Sequence, residues 1–227
     1  MIHADRGDHA ALMDKVYRRQ RHIYDFTRKY YLLGRDRLVR ELEAKPGQRV
    51  VEIGCGTARN LVKIARRYPG VQLYGLDASQ AMLRTAEDTV RRSRLATRIA
   101  LAQGLAEDMT PGLFGLSEPF DYAIFSYSLS MIPDWRSALR AAAAAVKPQG
   151  LIHIVDFGDL KGLWPAAGRA LRGWLRLFHV APRDELLAAV EKAQGRGLSA
   201  GLELLAGRYA FLLRVEPRQI QAIAEGA

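Results

Sequence analysis

Apolar residues change their spacing along this chain of 227 residues. Up to about residue 45 they recur at helical intervals. Ala11, Leu12, Val16 and Ile23 stand among Lys15, Arg18, Arg19 and Arg21, and Leu38, Val39 and Leu42 form a second group that stops at Pro46-Gly47. From residue 48 short apolar runs alternate with amphipathic ones. The pattern predicts strand 49–53, helix 58–68 ending at Pro69-Gly70, strand 71–76, helix 79–92 and strand 98–103. It continues with strand 120–126, helix 134–146 stopped by Lys147-Pro148-Gln149-Gly150, and strand 151–156. Helices follow at 163–179 and 183–193. Leu202–Leu205 and Tyr209–Val215 then flank Gly207 and read as a closing hairpin. Strands alternating with helices imply a parallel sheet, wound right-handed, with helices on both faces. The expectation is an α/β fold of Rossmann-like type, with an N-terminal helical cap at 1–45 and the main domain at 46–227. No repeat or low-complexity linker interrupts it.

One strand-turn-helix stands out. Val50-Val51-Glu52-Ile53 leads into Gly54-Cys55-Gly56-Thr57-Ala58, and a second strand ends at Asp77, 21 residues after Gly56. Glycine in such a turn adopts conformations closed to other residues and lets a ligand come close. An acid about 20 residues on, at the neighbouring strand tip, accepts from ribose hydroxyls. A dinucleotide site would carry Gly-x-Gly-x-x-Gly for a pyrophosphate. Here Glu52 precedes the turn, which repels phosphate and suits a cationic ligand. S-adenosylmethionine has an adenosine, an ammonium and a sulfonium, and no phosphate. On these residues the chain resembles the class I S-adenosylmethionine-dependent methyltransferases, whose signature is Glu/Asp-x-Gly-x-Gly-x-Gly, with Ala58 in place of the third glycine. The resemblance implies a seven-stranded sheet with one antiparallel edge strand.

Within that site, Gly54 and Gly56 let backbone approach the amino-acid part of the cofactor, Glu52 holds the ammonium, and Asp77 accepts from the ribose. Ala78 and Met82 are expected to pack near the adenine. Asp77 as a helix cap is the competing reading, but Ser79 can cap by itself. The family's acid near the adenine amino group is replaced by Leu105, so that contact falls to the Ala106 backbone or to Glu107. Ser126 ends the fourth strand at the cofactor. No metal is expected.

Composition narrows the setting. The chain is 49% hydrophobic, enough for one sizeable core. Its N-terminus lacks the apolar stretch of a secretory signal, and no run approaches the roughly 18–20 apolar residues of a membrane span. The lone Cys55 excludes an intrachain disulfide and fits a reducing cytoplasm; in the cofactor turn it is expected to pack rather than react. A net charge of +10 implies an anionic partner, nucleic acid or an acidic membrane surface, unless it reflects a host that writes Arg freely.

The acceptor side is read from three stretches. The fourth strand runs into Ser126-Tyr127-Ser128-Leu129-Ser130-Met131-Ile132-Pro133-Asp134-Trp135, without the Asn-Pro-Pro-Tyr of amino-methylating nucleic-acid enzymes or a Cys pair for pyrimidine carbon. The N-terminal segment supplies Tyr24, Asp25, Arg28, Lys29, Tyr30, Tyr31 and Arg35. Aromatic faces hold a quaternary ammonium by cation–π attraction. Tyr24, Tyr30, Tyr31 and Tyr127 are therefore candidates to surround an amine, with Asp134 or Asp25 close to it, and Arg28, Lys29 and Arg35 to bind the acceptor's anionic part. From Leu163 to Val180, helical spacing puts Trp164, Leu171, Trp174, Leu175 and Phe178 on one face, with Arg169, Arg172 and Arg176 beside it. No acid occurs between Lys161 and Arg183. This describes either a helix in a membrane interface or a core helix with a solvated basic flank.

The runs at 24–36 and 126–135 look like those of the bacterial betaine-lipid methyltransferases. The resemblance implies transfer of three methyl groups to the amine of diacylglyceryl-homoserine, giving diacylglyceryl-trimethylhomoserine. It also implies a cytoplasmic enzyme, peripheral on the inner face of the cytoplasmic membrane, without a nucleic-acid partner. The related phosphatidylethanolamine N-methyltransferases share the cofactor motif and the need to reach a lipid amine. A nucleic-acid methyltransferase and a non-catalytic cofactor-binding module are the rival classes.

Overall fold

The structure, a computed structural model, describes residues 32–177, 180–198 and 200–225. In chain order the elements are α1 (Arg35–Arg40), β1 (Arg49–Ile53), α2 (Arg59–Arg67), β2 (Gln72–Asp77), α3 (Gln80–Arg92), β3 (Ile99–Gln103) and β4 (Phe120–Ser126). There follow α4 (Trp135–Ala145), β5 (Val146–Phe157), α5 (Pro165–Arg176), α6 (Asp184–Gly195), β6 (Gly201–Leu205), β7 (Ala210–Val215) and α7 (Pro217–Glu225).

The strands form one seven-stranded sheet in the order β3-β2-β1-β4-β5-β7-β6. The first five are parallel, and β7 runs antiparallel to both β5 and β6. From β1 the chain winds first toward β3 and then back through β4. The crevice between β1 and β4, at their carboxyl ends, is where ligands bind in such sheets. β1 is apolar apart from Arg49 and Glu52 because helices cover both faces, so Val50, Val51 and Ile53 are all buried. On one face α4, α6 and α7 pack Trp135, Leu139, Leu186, Val190, Ile220 and Ile223 against Val51, Ile53 and Phe125. On the other, α1, α2, α3 and α5 contribute Leu38, Leu61, Ile64, Val90 and Leu175.

Several boundaries differ from expectation. β5 starts at Val146, not 151, because the chain passes through Lys147–Gly150 in extended form, with a register shift against β4 at Phe120/Tyr122. A β-carbon at Gly150 would meet the Asp121 carbonyl oxygen at 2.4 Å, so this bulged pairing needs glycine there. α7 was not expected. Pro217 opens it, and Ile220, Ile223 and Ala224 bury one narrow stripe. Of the expected cap at 1–45, α1 is the helix among the described residues. Among those residues, no helix is long and apolar enough to cross a membrane.

Candidate cofactor and acceptor site

The glycine turn owes its shape to backbone conformation. Gly54, Gly56 and Ala58 have φ of 76°, 55° and 61°, all left-handed. The turn reverses tightly enough for the amides of Gly54 and Cys55 both to donate to the Leu76 carbonyl, at 2.8 and 3.0 Å. A β-carbon on Gly54 would sit 2.5 Å from the Ser128 β-carbon, so β1's turn and the loop after β4 close on each other. The Asp77 carboxylate ties the strand tip to this turn. One oxygen accepts from the Gly56 amide at 2.7 Å and the other from the Ser79 amide at 2.9 Å. Ser79 caps α3 itself, accepting from the Met82 amide, which leaves Asp77 to the turn and the cleft.

Gly54, Gly56, Asp77, Ala78, Ala106 and Glu107 line one cleft at the carboxyl ends of β1, β2 and β4. Leu76 and Leu105 supply apolar wall there, so Leu105 lies in the cleft where the family's acid was expected. An adjoining pocket behind the turn brings together Glu52, Asn60, Ser126 and Arg35. Glu52 is buried and accepts from the Asn60 amide group at 2.6 Å. Ser126 Oγ is buried with no hydrogen-bond partner among the described residues. Burial pushes the Cys55 thiol well above its usual range, and the nearby Asp77 and Glu52 charges push it further. A thiol held neutral packs and does not react.

Two expected residues lie apart from the cleft lining, and a third lies within it. Met82 does not line the cleft; it is buried in the first turn of α3. Asp134 does not reach the site. It is exposed and caps α4, accepting from the Ser137 amide at 3.0 Å. Tyr127 lies in the cleft wall, but its hydroxyl donates to the Leu33 carbonyl at 2.6 Å and its ring packs edge-on against Phe157, so the hydroxyl is committed. Tyr24, Tyr30, Tyr31, Asp25, Arg28 and Lys29 lie outside the described residues. Arg35, expected at the acceptor's anion, lines the pocket behind the turn with Glu52. Ser128, Met131 and Ile132 line the cleft without having been assigned to it, although Ser128 was visible at the strand tip. Ser128 Oγ donates to the Ile53 carbonyl at 2.8 Å and locks the loop to β1.

α5 sits differently from its expected face. Gly168, Leu171 and Leu175 turn inward, whereas Trp164 is 80% exposed, Leu177 71% and Trp174 37%. Arg169 and Arg176 are exposed as well. Arg172 is not part of that surface. It donates to the Asp159 carbonyl at 2.6 Å and to the Asp184 carboxylate at 2.9 Å. Phe178 lies outside the described residues.

S-adenosylmethionine fits this arrangement. The turn presents backbone and acids rather than a phosphate cradle, an apolar wall stands beside the Asp77 strand tip, and the unmet Ser126 hydroxyl marks a polar contact still to be made. Residues 51–152 match the family model of a methyltransferase domain. Demethylmenaquinone methyltransferase from Desulfitobacterium hafniense is 31% identical over 137 residues, covering 57% of this chain and 53% of that protein. The same-named protein of a Geobacillus species is 28% identical over 143 residues, covering 63% and 58%. The chain thus spans about half the length of these curated relatives. Among solved structures, phosphoethanolamine N-methyltransferase 2 of Haemonchus contortus with S-adenosyl-L-methionine superposes at a TM-score of 0.61 and 22% identity. The superposition covers 77% of this chain and 39% of that one. A putative methyltransferase of Haloferax volcanii, in complex with its activator, gives 0.67 at 13% identity over 90% and 98%. The fold is that of the class I methyltransferases.

Proposed function

We propose that this class I S-adenosylmethionine-dependent methyltransferase domain works on a lipid amine at a membrane surface, converting diacylglyceryl-homoserine to diacylglyceryl-trimethylhomoserine by three successive methyl transfers. The observation that carries the reading is the exposed face of α5. Trp164, Trp174 and Leu177 are exposed along α5, as are Arg169 and Arg176, with no acid nearby in sequence, the composition of a helix seated among anionic headgroups. The chain after α5 is bonded to the loop that carries Ser128, Met131 and Ile132 into the cleft wall, the Ala181 amide donating to the Ser130 carbonyl at 2.9 Å. A surface that meets lipid and a cleft that meets cofactor are therefore neighbours. On this reading the protein works on the cytoplasmic side, peripheral to the inner membrane face.

When bound, the cofactor supplies an electrophilic methyl group on a sulfonium. The chain's own task is alignment and exclusion of water, since the displacement is in line. Asp77 and the Gly54–Gly56 turn hold the nucleoside and amino-acid ends, with Glu52 and Ser126 behind them. The Tyr127 ring, Met131 and Ile132 give an apolar wall, which favours the neutral form that an amine needs to attack. Tyr24, Tyr30 and Tyr31 would close an aromatic cage over it, and Arg28 and Lys29 would meet the homoserine carboxylate or, in the phosphatidylethanolamine alternative, a phosphate.

A second reading is methyl transfer to demethylmenaquinone, favoured by the names of the curated relatives. The test is incubation of the protein with labelled cofactor and separate vesicles holding diacylglyceryl-homoserine, phosphatidylethanolamine or demethylmenaquinone, with transfer RNA as a further arm. Product masses should show mono-, di- and trimethylated homoserine lipid. Label confined to the quinone or to RNA would overturn the lipid-amine reading, and absence of cofactor binding would leave a non-catalytic module.

A further inference from the structure

The loop after β4 leaves the sheet through Tyr127 at φ 56°, a region that bulky residues rarely occupy. It then carries Ser128, Met131 and Ile132 into the cleft wall. One buried charge and one half-buried charge grip it from outside the cleft. Asp156, near the end of β5, accepts from the Ser130 amide at 3.0 Å and from its neighbour Phe157 at 2.8 Å. Arg183, at the start of α6, donates from Nε to the Leu129 carbonyl at 3.0 Å and from an Nη to the Ile132 carbonyl at 2.5 Å. The loop's backbone thus ends in bonds to two side chains that reach it from 26 and more than 50 residues away.

Both groups sit against their preference for water. Burial pushes the Asp156 carboxyl up to about 6, although Ser130, Phe157 and Arg183 pull the other way. Burial likewise drags the Arg183 guanidinium down. Apolar side chains of similar volume fill such positions at no such cost. What an apolar pair cannot do is fix three backbone groups of a loop at once.

We propose that Asp156 and Arg183 are positioning residues for methyl transfer, which clamp residues 128–132 so that the cleft wall holds the acceptor in line with the cofactor's methyl group. The inference rests on reading this cleft as the transfer site. An in-line displacement loses about 100-fold for a misplacement of about 1 Å, so a slack loop should slow transfer without loosening the cofactor.

The test uses two variants and two readouts. Arg183→Lys keeps the charge but offers a point ammonium that cannot fork across two carbonyls. The double variant Asp156→Asn with Arg183→Met removes both charges and keeps the volume, so it guards against simple unfolding. Cofactor affinity should stay within about twofold, while kcat falls by about 10- to 100-fold. Amide exchange should speed up at Ser130, Met131 and Ile132 and stay slow in β1 and β2. Native exchange and native kcat in the folded double variant would overturn the proposal. So would a loss of cofactor affinity in step with kcat, which is the mark of a merely structural role. Exchange is measured without any acceptor, so the clamp is judged even if no lipid amine is methylated and the functional reading falls.

Discussion

The two halves of the cleft are held together in different ways. On the β1–β2 side the bonds are local. Asn60 reaches Glu52 across 8 residues, Asp77 holds Ser79 across 2 and Gly56 across 21. On the β4–β5 side they are remote. Tyr127 reaches Leu33 across 94 residues, and Arg183 reaches Leu129 and Ile132 across more than 50. A site built from neighbours leaves a spacing in the sequence. A site built across the fold leaves only residue types. The cofactor half could be read as a pattern, and the acceptor half could be read only as a collection of candidates.

The largest expected break in this contrast is Gly54→Leu. Its β-carbon would overlap Ser128 at 2.5 Å in a backbone conformation that leucine rarely adopts. Both halves share that contact, so cofactor affinity should fall by more than about 100-fold, a loss above about 2.7 kcal/mol. Calorimetric titration on folded protein reads it. Affinity within tenfold would mean the turn and the loop can part without harm. Asp77→Ala confines the damage to the cofactor half. A charge-assisted bond is worth roughly 1.5–3 kcal/mol, or about 10- to 150-fold in affinity. An unchanged Kd would remove Asp77 from the ligand's contacts.

Asp156 tests the acceptor half through pH. Burial pushes its carboxyl up to about 6 in the folded protein, from the 3.8 of an ordinary aspartate. A raised carboxyl contributes stability below the unfolded pKa and loses it as pH rises through the folded one. Measured between pH 4 and 7, Asp156→Asn should therefore gain stability relative to the native protein as pH rises. The gain across that range should be on the order of 2–3 kcal/mol; what asparagine forfeits by offering one acceptor oxygen to two amides shifts the whole curve and leaves its slope alone. Parallel unfolding curves for the two proteins across that range would mean Asp156 titrates no differently when folded.

α5 sharpens the comparison at the surface. Each Arg near an anionic membrane is worth about 1 kcal/mol. Arg169→Glu with Arg176→Glu should thus weaken flotation with acidic vesicles by more than about 30-fold at low salt. Arg172→Ala should leave it nearly unchanged, because that guanidinium is spent on Asp184 and Asp159. Equal binding of native protein to acidic and zwitterionic vesicles would mean that α5's charge is not a membrane signal.

α5 also shows where sequence reading runs out. Period alone grouped Trp164 and Trp174 with Leu171 and Leu175, but a stripe wide enough for all of them is wider than the face the sheet covers. Packing takes Gly168, Leu171 and Leu175, leaves Trp164 out and covers only part of Trp174. Asp134, an acid in the loop that leaves β4, has the look of a ligand. It also stands one residue before a helix and three before Ser137, where a cap belongs. α7 escaped because Ile220 and Ile223 are few among polar neighbours, and β5's early start because Pro148 and Gly150 usually end a run. The parallel strands were plain, being short apolar runs that helices bury from both sides. Asp156 and Arg183 carried no signal at all, since neither belongs to a local spacing.

The smallest expected effect is the most specific to the cofactor half. Ala58 stands where the family signature has its third glycine, and it opens α2 at φ 61°, ψ 19°, with no side-chain cap. Left-handed backbone costs an alanine about 1 kcal/mol. Ala58→Gly relieves that strain but frees the unfolded chain, which offsets roughly half of it. The variant should be more stable by about 0.5 kcal/mol, raising Tm by about 1–2 °C in a domain of this size, with cofactor affinity unchanged. The competing term is the Ala58 methyl group, which is fully buried among the residues that pack α2 on the sheet. Should glycine lower Tm instead, that methyl's packing outweighs the strain. The turn would then be held by its neighbours as the acceptor loop is, and the division between a locally encoded half and a remotely built half would narrow to the two amide bonds of Asp77.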